Sequence, residues 1–284
     1  MSLLPPLDRR DSDRAGPRKI AADPLPEFPA GPPAAGPPAA GPGRRDRGLA
    51  RSVRLFRLFL REQTDPDSFY HGLAQDAVSQ VADYCDIQGR TVVDVGGGAG
   101  QFTAAFRAGG AACFLFEPDP AELCGRGDAP DGAVIADGYW LPVGDGGADV
   151  CFSSNVLEHV RDPIGLIEEM IRVTRPGGLI YLSFTNWYSP WGGHEMSPWH
   201  YLGFRFAERR YARRYQHPPK HRLGVNLFPL HIGPMLRLIR SRSDVEILDA
   251  LPRYYPRWCR VLLRIPGLRE VATWNLLLIL RRKA

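Results

Sequence analysis

Acidic side chains, a run of glycines and three histidines fall in this chain where they could handle a nucleoside and a proton. Thr91-Val-Val-Asp94 is an apolar, β-branched run. It opens into Val95-Gly96-Gly-Gly98-Ala-Gly100, and Gln101 to Arg107 then carries a helical pattern. Glycine has no Cβ, so a strand–glycine turn–helix unit lets a ligand come up against bare backbone at a helix N-terminus. A second strand, Ala112 to Phe116, ends in Glu117. A carboxylate at that place can take both hydroxyls of a ribose. The pattern points to a cofactor of the adenosine type.

The glycine spacing narrows the choice. Dinucleotide sites use G-x-G-x-x-G, and the position of its third glycine is Gln101. A phosphate loop needs Lys-Ser or Lys-Thr after its glycines, and none follows. The G-x-G-x-G of Gly96, Gly98 and Gly100 resembles motif I of the class I S-adenosylmethionine-dependent methyltransferases. The resemblance runs on through residues 90–185. Ala133 to Ala136 reads as a third strand, followed by Asp137-Gly138. Leu141-Pro142 is similar to a step common beside that acid, with Val143 where Phe is usual. Asp149 to Asn155 reads as the fourth strand. Val156-Leu-Glu-His159-Val-Arg-Asp-Pro163 looks like the start of the next helix in the branch acting on quinones, sugars and other small molecules. Arg175-Pro-Gly-Gly178 reads as a turn into a fifth strand, Leu179 to Phe184.

The resemblance implies an α/β fold: a Rossmann-like, doubly wound sheet of seven strands, mostly parallel. The last strand is antiparallel and inserted between the fifth and sixth. The implied cofactor is S-adenosyl-L-methionine. Asp94, Gly96, Gly98 and Gly100 would face its methionine end, Glu117 its ribose, and Asp137 with Gly138 its adenine. Asn155, closing the fourth strand, belongs to the same cofactor set.

Methyl transfer from a sulfonium is an in-line displacement. The protein must place a nucleophile about 3 Å from the methyl carbon and exclude water. A hydroxyl acceptor gains from a base, by ~10² to 10⁴ in rate. The candidate bases are His159, His194 and His200, with Glu195 as an orienting carboxylate. No metal is expected from the local spacing. His194-Glu195 opens like H-E-x-x-H, but Pro198 holds the second histidine's place and His200 comes two residues late. No cysteine pair has metal-ligand spacing.

Around these residues stand the elements that must position them. Residues 1–46 hold 11 of the 27 prolines and a Pro/Ala/Gly repeat, a composition read as a disordered tail. Residues 47–284 read as one domain. Its parts are N-terminal helices (47–89), the cofactor core (90–185), an acceptor-side loop and basic helix (186–232), and a closing helix with two strands (233–284). Leu49 to Glu62 reads as an amphipathic helix with Arg51, Arg54, Arg57 and Arg61 on one face, suited to a lid or a membrane surface. Phe69 to Tyr84 reads as a second helix, from which Tyr70 and His71 could reach the methionine end. Asn186 to Tyr201 is a loop rich in aromatics, placed where doubly wound folds bind ligands. Gly233 to Arg240 reads as a helix, Val245 to Leu251 and Trp274 to Leu280 as the last strands.

Bulk properties set the outer bounds. The 284 residues are 44% hydrophobic, enough for a sizeable core. No apolar run reaches the ~18 residues of a membrane span, and no secretion signal opens the chain. The five cysteines read as buried thiols of a cytoplasmic protein. Residues 90–200 carry 6 Lys+Arg against 14 Asp+Glu; residues 201–284 carry 18 against 5. Arg205, Arg209, Arg210, Arg213 and Arg214 cluster on one expected helix. That asymmetry suits an anionic acceptor, or peripheral contact with the inner membrane face through the basic helices. The reading is O-methylation of a small molecule, lipid or lipid-linked sugar. An RNA or protein methyltransferase and a non-catalytic cofactor scaffold are the alternatives. Nucleic acid is disfavoured, since no N-P-P-[YF] step follows the fourth strand and no RNA-binding module is visible.

Overall fold

The computed structural model describes residues 48–62, 64–125 and 129–284; the Pro-rich tail expected over 1–46 lies outside them. In chain order the helices and strands are α1 (Leu49–Phe59), α2 (Pro66–Ala82), β1 (Thr91–Val95), α3 (Gln101–Ala108), β2 (Ala112–Glu117), α4 (Pro120–Leu123), β3 (Ala133–Ile135) and β4 (Ala148–Ser154). Then come α5 (Pro163–Val173), β5 (Thr174–Thr185), α6 (Phe204–Tyr215), α7 (Ile232–Ser241), β6 (Val245–Pro252), α8 (Leu268–Ala272) and β7 (Asn275–Arg282).

The seven strands form one sheet in the order β3-β2-β1-β4-β5-β7-β6. β7 pairs antiparallel with both β5 and β6, and the other pairs are parallel. This is the expected fold, with the antiparallel strand inserted where expected. Parallel strands covered on both faces read as unbroken apolar runs, and β1 is buried at every residue. Its alternate side chains feed two cores. Val93 and Val95 join Phe116, Ile180 and Leu278 under α5 and α7. Val92 joins Phe152, Tyr181 and Leu277 under α2 and α3.

Local signals set the helix starts. Asp65 accepts a hydrogen bond from the Ser68 amide and Pro66 takes the first helical position. Asp162 does the same for α5, accepting from the Ile164 and Gly165 amides ahead of Pro163. Both follow the preference for a short acceptor before the helix and a proline just inside it.

Two expectations need correction. Arg175 to Gly178 is not a turn ahead of β5: the strand starts at Thr174, directly after α5. Ala148 pairs with Thr174 and Val150 with Leu179, so the Pro-Gly-Gly segment is a bulge inside the ladder. Val156 to His159 is not the start of α5 either. Leu157–His159 is a separate 3-10 turn, and α5 waits for Asp162.

Candidate active site

The sheet order reverses beside β1, where β2 and β4 diverge to either side. Such a switch point opens a crevice at the carboxyl ends of the strands. Asp94, the glycine turn, Glu117, Asp137 and Asn155 all stand along that edge.

Asp94 is 1% exposed and accepts a 2.7 Å hydrogen bond from the Thr103 hydroxyl of α3. Burial lifts its carboxyl to about 7, against the opposing pull of Thr103; the nearby Glu117 charge adds to the rise. The glycine turn leaves no room for side chains. A Cβ on Gly96 would sit 2.6 Å from Val156, and one on Gly97 would strike Leu115. Gly98 differs: φ is +53 and nothing lies within 4 Å of a would-be Cβ, so its open side faces space a ligand can use. Glu117 ties the turn to β2. One oxygen accepts from the Gly98 amide at 3.0 Å, the other from the Asp119 amide at 3.1 Å. Burial raises its carboxyl, partly offset by these two bonds.

Asp137 is exposed, and its carboxylate accepts from the Tyr139 amide. The segment behind it is clamped by one arginine. Arg172 donates to the carbonyls of Leu141 and Val143 and pairs with Glu169 and Asp145. Glu169 in turn accepts from the Leu141 amide at 2.6 Å. Trp140, 83% exposed, stands at the lip of this segment.

Asn155 lies at φ +60 directly after β4. Its side chain is already engaged: the oxygen accepts from Asn275 at 2.7 Å and from Arg253 at 3.3 Å. Arg253, 1% exposed, also donates to the hydroxyls of Ser154 and Ser183, tying β4 to β5. Its guanidinium lies 5.5 Å from the Tyr181 ring and 5.3 Å from that of Tyr254. Nothing in the local pattern of Leu251-Pro-Arg253-Tyr marks this arginine as buried, and sequence reasoning missed it.

The three candidate bases part company. His159 and His194 meet, with ring centroids 4.9 Å apart, and a residue not foreseen joins them: His221 lies 4.9 Å from His159 and 4.6 Å from His194. One nitrogen from each ring lies within 4.8 Å of the other two, and all three rings are half-buried. The helical pair of H-E-x-x-H is indeed missing, yet three imidazoles converge from segments 35 and 27 residues apart in sequence. His200 is elsewhere. It is buried against Trp187 and Tyr201, with Nε2 3.1 Å from the Trp187 carbonyl, a packing role.

Glu195 orients an imidazole as expected, but that of His221: it accepts from the His221 amide and from Nδ1, both at 2.7 Å. Burial would raise Glu195; the His221 bonds win and hold it at about 2. Burial, then the neighbouring His159 and His221, push His194 down to about 3, so it is neutral. Its backbone holds φ +51, a conformation that costs about 1 kcal/mol outside glycine. Tyr70 donates to Glu62 and His71 pairs with Gln75.

The aromatic loop divides its labour. Trp191 packs edge-on against Phe59 of α1 and at a tilt against Trp274, sealing the domain edge. Trp199 stays exposed with Arg210 3.9 Å over its ring. Met196, Ala207 and Leu227 form a small core that fastens α6 to this loop. Beside it a groove is lined by Leu202, Phe204, Phe206, Arg205, Arg209 and Arg213. The expected five-arginine cluster is thus on one helix.

A family described as "Methyltransferase domain" matches residues 67–227. An uncharacterized methyltransferase of Mycolicibacterium gilvum is 47% identical over 243 residues, covering 82% of this chain and 94% of that protein. One from Mycobacteroides abscessus is 45% identical over 246 residues, with the same coverage of both. Among solved structures, an S-adenosylmethionine-dependent methyltransferase from Mesorhizobium loti aligns at a TM-score of 0.49 and 22% identity, over 75% of this chain and 98% of that one.

Proposed function

Since the chain belongs to the methyltransferase domain family, we propose that it moves a methyl group from S-adenosylmethionine to an oxygen of a lipid, lipid-linked sugar or other small molecule. The observation that carries this reading is the pairing of two features on one sheet edge. On one side is the glycine turn bound to Glu117; on the other, beyond β4, are the imidazoles of His159, His194 and His221.

Glu117 would take the cofactor's ribose hydroxyls, and the open backbone at Gly98 would receive its methionine end. Asp137 and the clamped segment Leu141 to Val143 would hold its adenine. Asn155 and the histidines would then stand at the sulfonium end of the cofactor. An acceptor hydroxyl placed there would pass its proton to one of these imidazoles or through water to solvent as its oxygen took the methyl group. The carbon–sulfur bond breaks, and the electron pair stays on sulfur in S-adenosylhomocysteine.

A lipid-like acceptor is favoured by what surrounds this opening. Leu202 and Phe206 are exposed among the arginines of α6, and Val53 and Phe56 of α1 and Leu60 just after it are exposed near Arg54 and Arg57. Apolar side chains ringed by cations suit an acyl chain with an anionic headgroup. Among the described residues no helix is long and apolar enough to cross a membrane, so contact with lipid would be peripheral. The test is incubation of purified protein with methyl-labelled S-adenosylmethionine and separated lipid, small-molecule and RNA fractions of a cell extract. Label is expected in the lipid or small-molecule fraction. Label confined to RNA or protein overturns the acceptor class.

A further inference from the structure

We propose that His159, His194 and His221 form a binding site for one transition-metal ion of the zinc type. The chemistry of the donors argues for it. His159 has Nδ1 2.8 Å from the Asn226 carbonyl, and His221 has Nδ1 2.7 Å from a Glu195 carboxylate oxygen. A carbonyl or carboxylate oxygen only accepts, so Nδ1 carries the proton on both rings, which leaves Nε2 as the nitrogen that the neutral ring offers a metal. His194 has its own Nδ1 3.4 Å from the Gly192 carbonyl, a weaker version of the same arrangement. With Nδ1 of all three rings set against oxygen acceptors, Nε2 is the nitrogen each ring has left to offer an ion, and the three rings gather at one place. Metal-binding histidines are oriented in this way, by a carbonyl or carboxylate on the far nitrogen.

The dimensions fit. The ligand nitrogens lie within 4.8 Å of one another. Nitrogens about 2.0 Å from a tetrahedral ion stand roughly 3.3 Å apart, so each ring needs to close by less than about 1 Å. An all-nitrogen set selects zinc, cobalt, nickel or copper over magnesium or calcium, which want oxygen. Three protein ligands leave a fourth position open, as in catalytic rather than structural sites.

The position gives the ion a use. His159 follows β4, and the His221 loop reaches across to the far side of the crevice, where Lys220 meets Glu122 just beyond β2 at 2.6 Å. An ion here lies on the acceptor side of the cofactor. Taking an acceptor hydroxyl as fourth ligand, it would lower that hydroxyl's pKa and let the proton pass to solvent before the oxygen attacks methyl carbon. This use rests on the proposed methyl transfer; metal uptake does not.

The experiment measures uptake apart from catalysis. Full-length protein stripped with a chelator is titrated with Zn²⁺, followed by elemental analysis after gel filtration, and with Co²⁺, followed by visible absorption. S-Adenosylhomocysteine binding is measured on the same samples by calorimetry. About one ion per chain is expected, with the absorption of a tetrahedral cobalt centre. His221→Ala should lose the ion while binding S-adenosylhomocysteine as before. Glu195→Gln should weaken uptake by about 10- to 100-fold. His200→Ala should leave it unchanged. Protein that binds S-adenosylhomocysteine but takes up no Zn²⁺ overturns the metal site alone. So does a His221→Ala variant that holds zinc as tightly as the wild type.

Discussion

Asp94 gives a pH signature that can be worked out from its surroundings. It is fully buried, with the Thr103 hydroxyl as its hydrogen-bond partner, and burial holds its carboxyl near 7 against an ordinary 3.8. The sign follows from linkage. Below 3.8 the folded and unfolded chains both carry the proton. Between 3.8 and about 7 the unfolded chain releases it and the folded chain keeps it, so stability falls as pH rises through that window. At 1.36 kcal/mol per unit the total is roughly 4 kcal/mol, an upper figure, and it stays constant above the window. Asp94→Asn keeps an oxygen for Thr103 and removes the titration. The variant should match the wild type in melting temperature near pH 3 and exceed it at pH 8. For a domain of this size that gain is on the order of 10 °C. The assay is thermal unfolding of both proteins across that pH range, taking the difference at each pH so that other carboxyls cancel. A difference that is flat with pH, or largest at low pH, would refute the reasoning.

Other outcomes follow from the same contacts. Gly98→Ala should fold, at a cost of about 1 kcal/mol for its left-handed backbone, and lose cofactor affinity. Gly96→Ala meets Val156 at 2.6 Å as well and should be destabilised more, by about 2–3 kcal/mol in urea unfolding. Arg253→Met removes three hydrogen bonds that join β4 to β5; a loss of about 2–4 kcal/mol is expected, and a gain would mean that burying the guanidinium costs more than its bonds return. Reversing Arg205, Arg209 and Arg213 to Glu should abolish sedimentation with anionic vesicles and leave S-adenosylhomocysteine binding intact; unchanged sedimentation would exclude α6 as the lipid-facing surface.

The sheet and cofactor edge were legible because the signals there are local. β1 is buried along its whole length and ends in glycines whose replacement would strike Val156 or Leu115. Residues that depend on distant packing were not legible. Pro176-Gly-Gly178 has the composition of a turn, yet pairing of Thr174 with Ala148 draws it into the ladder as a bulge. Arg253 reads as a surface cation and is buried because Ser154, Ser183 and two tyrosine rings receive it. Arg51 shares the basic face of α1 but turns inward, pairing with buried Asp76 at 2.5 Å. His221 lies in a loop with no periodicity. Only the folding of that loop over the crevice, pinned by Glu195, brings it to His159 and His194.

The central claim is that a sulfonium nucleoside lies along the β1–β2–β4 edge, held by bare glycine backbone and by Glu117. Calorimetric titration of the full chain with S-adenosylhomocysteine tests it most directly. One molecule per chain is expected, with affinity reduced at least about tenfold in Glu117→Ala, the loss of a charged hydrogen-bond partner. No heat of binding at millimolar ligand, or equal affinity in the variant, would contradict it.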